Sequence, residues 1–290
     1  MERIGILGPR GTHSEAAVFW INRRLESPPE SVICSDIFDV LRAVEDGELD
    51  AGLVPVENSL EGSINITLDT LARSECLTVT RELIWRVHNQ LMARAGVTAI
   101  KKIISHAQPL AQCRRYIRKN YPSAEVSTVQ STARAAEIAA SAALEEGVAA
   151  ICTARAGELN GLITIASEVQ DNIFNSTRFF EVRRSIDGVR RLEPGLERYK
   201  IGDKILIICQ IHGERPGALC EVLEEFAFRN VNMTRIESRP ARTKLGEYIF
   251  FFDLDVDAPR GMLEESIDAV RRKAIWLKRL GAFPVISANR

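Results

Sequence analysis

Residues 131–152 read S-T-A-R-A-A-E-I-A-A-S-A-A-L-E-E-G-V-A-A-I-C. A hydroxyl pair suited to a helix N-cap opens the stretch, an alanine-rich helical run follows, Gly147 ends it and a short apolar strand closes it. The same order stands at 35–56, S-D-I-F-D-V-L-R-A-V-E-D-G-E-L-D-A-G-L-V-P-V, with Ser35 or Asp36 as cap, Gly47 as stop and A-G-L-V-P-V as strand. Two copies of cap, helix, glycine and buried strand predict two α/β lobes within the first 180 residues. In such sheets ligands sit beyond the carboxyl ends of the strands, where Asn58, Ser59 and the helix caps are expected.

Upstream, 3–7 is an apolar strand, and Gly8-Pro9-Arg10-Gly11-Thr12-His13-Ser14-Glu15 leads into a helical run. The G-x-x-G-x-x-G spacing of Gly5, Gly8 and Gly11 does not fit the dinucleotide pattern. It reads instead as a helix N-terminus whose free N–H groups, with the Thr12 and Ser14 hydroxyls, suit a small carboxylate. Between the copies, His106 after a β-branched strand reads either as an acid or base or, by preference, as a satisfied structural histidine, and Gln108 and Gln112 share a helix face if the segment is helical, able to point one amide into a cleft. The segment 171–180, D-N-I-F-N-S-T-R-F-F, sets two asparagines, a serine, a threonine and an arginine beside three aromatic rings, and the other polar runs are expected to converge on it.

Beyond 181 the chain becomes charged and punctuated by Gly and Pro, which reads as a linker over 182–203. Strands over 204–211, 231–237, 247–255 and 277–285, with helices over 217–229 and 262–274, give β-α-β-β-α-β, the order of a ferredoxin-like sandwich. The expected division is therefore 1–181 as the two-lobed unit, 182–203 as linker and 204–290 as a binding or pairing module.

The 38 Lys and Arg balance 39 Asp and Glu, for a formal net charge of -1, so no global field favours nucleic acid or an anionic membrane. The start lacks the apolar run of a signal peptide or span, and six scattered cysteines read as buried free thiols of a cytoplasmic protein. No pair of the four histidines has zinc spacing, so no metal is expected.

The motifs G-P-R-G-T-H-S-E-A-A, V-P-V-E-N-S-L-E-G-S-I, S-H-A-Q-P-L-A-Q-C, S-T-A-R-A-A, D-N-I-F-N-S-T-R-F-F, P-G-A-L-C and I-E-S-R-P closely resemble the prephenate dehydratase family in its form with a C-terminal ACT domain. Two positions depart from the family's pattern: His13 stands where phenylalanine is common, and Cys220 where valine is usual. The resemblance implies a catalytic unit of two lobes, like a type II periplasmic binding protein, with the active site between them. It implies conversion of prephenate to phenylpyruvate, water and carbon dioxide without metal or organic cofactor, in phenylalanine biosynthesis. By the same resemblance Thr177 donates a hydrogen bond to the leaving hydroxyl, Asn58 and Gln112 support it, and Glu57 is a candidate proton donor. On a strand, however, Glu57 and Asn58 point to opposite faces. Arg178 is expected to clamp a substrate carboxylate, with Phe179, Thr12, Ser14, Ser59, Ser131 and Thr132 completing the substrate site. Gly217, Ala218, Leu219, Cys220, Glu237, Ser238, Arg239 and Pro240 are expected to hold L-phenylalanine as feedback inhibitor in a homodimer or homotetramer. The competing readings are arogenate dehydratase and, from another class, a non-catalytic small-anion binder with an amino-acid sensor.

Overall fold

The structure, a computed structural model, describes residues 1–185, 191–244, 246–257, 259 and 261–289. The first lobe comprises β1 (Arg3–Leu7), α1 (His13–Asn22), β2 (Glu30–Cys34), α2 (Ile37–Glu45), β3 (Ala51–Asn58), the two-residue β4 (Gly62–Ser63), α3 (Asn65–Arg73) and β5 (Leu77–Arg86). The second holds β6 (Gln90–Ala93), β7 (Lys102–Ser105), α4 (Ala107–Gln112), α5 (Arg114–Asn120), β8 (Glu125–Thr128), α6 (Thr132–Ser141), β9 (Val148–Cys152), α7 (Ala154–Leu159) and β10 (Ile163–Ala166). The chain then returns to the first lobe as β11 (Ser176–Arg184) and continues through the short α8 (Pro194–Glu197). The C-terminal unit is β12 (Lys200–Gln210), α9 (Ala218–Ala227), β13 (Met233–Pro240), β14 (Tyr248–Asp255), α10 (Met262–Lys273) and β15 (Trp276–Ser287).

The two lobes repeat one strand order, β2-β1-β3-β11-β5 in the first and β8-β7-β9-β6-β10 in the second. In each, the fourth strand is the one that has just crossed from the other lobe, and it runs antiparallel to its neighbours. Both crossovers, at 87–89 and 171–175, thus deliver chain to the carboxyl ends of parallel strands, where a cleft forms. The expected cap-helix-strand units are present, although α6 stops at Ser141 and Gly147 follows a separate turn of 3₁₀ helix, Leu144–Glu146.

The C-terminal unit has the β-α-β-β-α-β order with strands arranged β13-β14-β12-β15. It does not hang from a tether. Strand β15 pairs in parallel with β5 at Val285↔Glu82 to Ser287↔Ile84, extending the first lobe's sheet without a break. Within the 182–203 stretch, 182–184 finish β11, Pro194–Glu197 is helical and Lys200 starts β12, while 186–190 lie outside the described residues. The apolar faces also merge: Val54, Phe180 and Leu77 of the first lobe share one core with Leu206, Phe251 and Phe283 of the C-terminal unit. Among the described residues no helix is long and apolar enough to cross a membrane.

Phe283 is buried beneath this junction, its ring centroid 5.7 Å from that of Phe180. Removing such a ring leaves a cavity that packing only partly closes, so Phe283→Ala should destabilise by about 3–5 kcal/mol. Denaturant titration should show the loss in the first lobe and the C-terminal unit together, because they share the core.

Candidate functional site

A cavity of about 330 Å³ lies between the lobes. From the first lobe it receives Thr12, His13 and Ser14 at the start of α1, Asn58 at the end of β3, and Asn175, Thr177 and Phe179 around the start of β11. The second lobe contributes His106, Gln108 and Gln112 of the α4 region and Ser131 and Thr132 at the start of α6, and Asn89 comes from the crossover. Three helices therefore direct their N-terminal ends at one space. Thr12 caps α1, Ser131 caps α6 and the His106 ring accepts from the Gln108 N–H at 3.4 Å. Free N–H groups and the helix dipole make such ends favourable for anions. The lobes close tightly beside them: Gly11, at φ +85, leaves no room for a Cβ, which would lie 2.8 Å from the Cβ of Ala156. There the Thr153 hydroxyl donates to the Gly11 carbonyl at 2.7 Å.

At the centre is an amide and hydroxyl cluster. The Asn58 Oδ1 accepts from the Leu60 and Glu61 N–H groups at 3.0 and 3.3 Å, which fixes the flip of its amide. Its Nδ2 must then face β11, where it donates to Asn175 Oδ1 at 2.9 Å and to Thr177 Oγ1 at 3.0 Å. Because Thr177 Oγ1 accepts there, its own proton remains for a group in the cleft. Asn175 is buried and its Nδ2 has no partner among the described residues. A buried amide without a partner costs free energy unless a ligand or water meets it. Asn89 is likewise buried with its Oδ1 unpartnered, and its Nδ2 donates to Gln112 Oε1 at 3.4 Å. Neither Asn89 nor Asn175 is singled out by the sequence as a site residue: Asn175 is marked only by the polarity of 171–180, and nothing local marks Asn89.

Of the candidate residues, Thr177, Asn58, Gln112, Phe179, Thr12, Ser14, Ser131 and Thr132 line the cleft. Ser59 does not line it: its Oγ accepts from the Ser176 N–H at 3.0 Å and donates to the Phe174 carbonyl at 3.5 Å, pinning the loop before β11. The expected roles of Arg178 and Glu57 do not fit their placement. Side chains alternate along a strand, so with Thr177 in the cleft Arg178 projects from the opposite face of β11. Its Nε and Nη2 donate to Glu82 at 2.8 and 2.7 Å, Nη1 donates to Glu57 at 2.8 Å, and Nη2 also meets Asp253 of β14 at 2.5 Å. Burial opposes its charge, but Asp253 and Glu82 more than offset this and raise its pKa. Glu57 is turned the same way, bonded to Arg178 and, at 3.2 Å, to Arg235. The described residues that line the cleft include no lysine or arginine.

The residues expected to hold the effector fall in two places. Gly217, at φ +81, is the N-cap of α9, with Ala218 buried and Cys220 exposed. Ser238 and Pro240 lie on the open face of β13, while Glu237 accepts from the Ser63 hydroxyl at 2.8 Å and Arg239 pairs with Asp69 of α3 at 3.1 Å.

His13 keeps some solvent contact, yet its ring is enclosed, and the Trp85 Nε1–H donates to its Nδ1 at 3.3 Å. Burial first and the neighbouring His88 second lower its pKa from 6.5 to about 4. It is thus a neutral wall of the cleft near neutral pH. Between these two values the unfolded chain binds more protons than the folded chain. The contribution of His13 to stability is therefore complete above about 6.5 and is lost as pH falls towards 4. Denaturant midpoints across that window should fall with pH in the parent, and His13→Phe should flatten the fall.

The family model described as prephenate dehydratase matches residues 4–186, and that of the ACT domain matches 205–265. A prephenate dehydratase of Methanocaldococcus jannaschii is 34% identical over 277 residues, covering 96% of each chain. The crystal structure of a prephenate dehydratase from Arthrobacter aurescens in complex with L-Phe superposes with a TM-score of 0.82 at 33% identity, over 97% of this chain and 89% of that one. GqqA, described as a novel type of quorum quenching acylase, superposes with a TM-score of 0.81 at 26% identity over 98% of both chains.

Proposed function

The chain belongs to the prephenate dehydratase family, and from that premise we propose that it converts prephenate to phenylpyruvate, water and carbon dioxide in the interlobe cleft. A shared frame does not assign an activity, as the acylase likeness illustrates, so the reading rests on the site. The observation that carries it is the hydroxyl of Thr177, held as acceptor by Asn58, beside the Asn175 Nδ2, which has no partner among the described residues.

In the reaction the bond between the ring and its carboxylate breaks, its electron pair enters the ring, and the C–O bond opposite breaks as the hydroxyl leaves. Carbon dioxide departs, and the leaving oxygen takes a proton to become water. Two donors fixed before the reaction, Thr177 Oγ1–H and Asn175 Nδ2–H, suit the charge that grows on that oxygen. Thr177 acts by donating a hydrogen bond, since a threonine hydroxyl is too weak an acid to ionise here. Gln112, held by Asn89, lies on the facing wall. The substrate is a dianion, and the N-terminal ends of α1 and α6, with Thr12, Ser14, Ser131 and Thr132, take the place of an arginine clamp. The ring carboxylate loses its charge on leaving, so a fixed cation against it stabilises the ground state more than the transition state. A cleft of amides, hydroxyls and helix ends suits that change of charge.

Incubation of the purified protein with prephenate should yield phenylpyruvate, and activity should survive exhaustive chelation. Thr177→Ala should lower kcat on the order of 100-fold or more in a folded protein. Arogenate supplied in parallel decides between the two dehydratase substrates.

We propose that the last part of the division into 1–181, 182–203 and 204–290 acts as a regulatory domain, with β11 and β12 extending into the middle stretch. L-Phenylalanine is its fitting ligand, given the ACT domain here and a relative crystallised in complex with L-Phe. The 217–220 turn opens α9 and 237–240 belong to β13, an edge strand of the sheet, and we propose that a homo-oligomer pairing these units holds the ligand. Buried thiols at Cys113, Cys152 and Cys209 fit a reducing cytoplasm. Gly217→Val puts a branched residue at φ +81, a conformation it resists. It should abolish inhibition by L-phenylalanine while leaving uninhibited turnover in place, as read by initial rates across an inhibitor titration.

A further inference from the structure

We propose that Arg178 and Asp253 are positioning residues for the dehydration: the C-terminal unit, through the Asp253 carboxylate on the Arg178 guanidinium, holds the Thr177 hydroxyl in its place beside Asn58. This rests on the reading of Thr177 as the donor to the leaving oxygen.

Strand register sets the two pairs back to back. Thr177 stands opposite Asn58 and Arg178 opposite Glu57, so the hydrogen bond in the cleft and the ion pair behind it belong to adjacent rungs of the same ladder. Immediately after Arg178 the register shifts, Phe179 pairing with Pro55. A bulge interrupts the uniform backbone support of a strand and re-aims its side chains. At that irregular point Arg178 supplies an anchor from the side chain, with Nε, Nη1 and Nη2 donating to three carboxylates on three other strands. The planar fork fixes direction as well as distance, which a flexible ammonium does not.

The cluster crosses the shared face from β13 to β3. Lys204 of β12 lies 3.8 Å from Glu82, and Arg235 of β13 contacts Glu57 at 3.2 Å and Glu237 at 3.4 Å. Glu82 and Asp253 have side chains with no exposed surface. Yet Asp253 Oδ1 has no hydrogen-bond partner among the described residues. A buried carboxylate using one oxygen is a poor way to gain stability, because desolvation is only partly offset. Its geometry makes sense as a directional hold on Arg178, and hence on the strand that presents Thr177.

The test compares Arg178→Lys, Asp253→Asn and Asp253→Glu in the full chain, with kcat and KM for prephenate and a crystal structure of each. Arg178→Lys and Asp253→Asn should lower kcat on the order of tenfold to a hundredfold with KM little changed, since small misplacements of a reacting group have effects of that size. Asp253→Glu should restore part of the rate. In Asp253→Asn the Asn58 Nδ2 to Thr177 Oγ1 contact, 3.0 Å in the parent, should be lost. Should Asp253→Asn not fold, Arg178→Lys retains the charge and carries the same comparison. A raised KM with unchanged kcat in Arg178→Lys overturns the proposal and makes Arg178 a substrate clamp; an intact 3.0 Å contact with parental kcat in Asp253→Asn overturns it as well. If the parent does not turn over prephenate, the assigned reaction falls, and the structures alone decide whether Asp253 positions Thr177.

Discussion

A buried guanidinium has to be surrounded by acceptors, and the architecture is arranged around that requirement at Arg178. The positive charge taken out of water behind β11 is met by Glu57, Glu82 and Asp253, from strands β3, β5 and β14. Together with Lys204, Arg235 and Glu237, the cluster holds three positive and four negative groups among the described residues. Removing one partner from such a set strands the others, a penalty much larger than the net gain from forming it. The first lobe and the C-terminal unit are therefore constrained to meet in one orientation, and the edge-to-edge pairing of β15 with β5 follows the same junction.

The apolar contacts agree with the ionic ones. Phe180, the neighbour of Phe179 and on the Arg178 side of the strand by alternation, packs on Phe283, and its ring lies 5.7 Å from the Arg178 guanidinium carbon. Thr177 and Phe179 face the cleft. Strand β11 thus presents cleft-lining side chains on one face and the junction with the C-terminal unit on the other. A single residue slip would exchange the two sets, which is why so mixed a sequence as S-T-R-F-F is tolerated only in this register.

Much of this was legible in the sequence because it is local. Helix caps at Thr12 and Ser131, the ends of β3 and β9, and the six elements of the C-terminal unit follow from spacing and turn chemistry, and the structure has them within a few residues. The rule that turned Glu57 from Asn58 also turns Arg178 from Thr177. What no local pattern marks is the partners, since positions 57, 82, 178 and 253 become neighbours only through the fold, and an arginine beside a candidate site threonine resembles a substrate clamp. The joined sheet was hidden for the same reason: the 182–203 stretch has a linker's composition, although β11 and β12 extend into it.

The cleft that results has polarity, with no lysine or arginine among the described residues on its walls. An arginine there would attract a dianion strongly, but it would also follow the substrate's carboxylate with a charge that the reaction does not want retained. Helix N-termini give a softer attraction, fixed in direction by the backbone and spread over several N–H groups. The stronger charge is kept one residue away, behind the strand, where it contributes orientation in place of binding. That separation explains how adjacent residues, Thr177 and Arg178, serve opposite sides of one strand. It also explains why the cleft needs both lobes: α6 comes from the second, α1 and β11 from the first, and neither lobe alone surrounds a dianion.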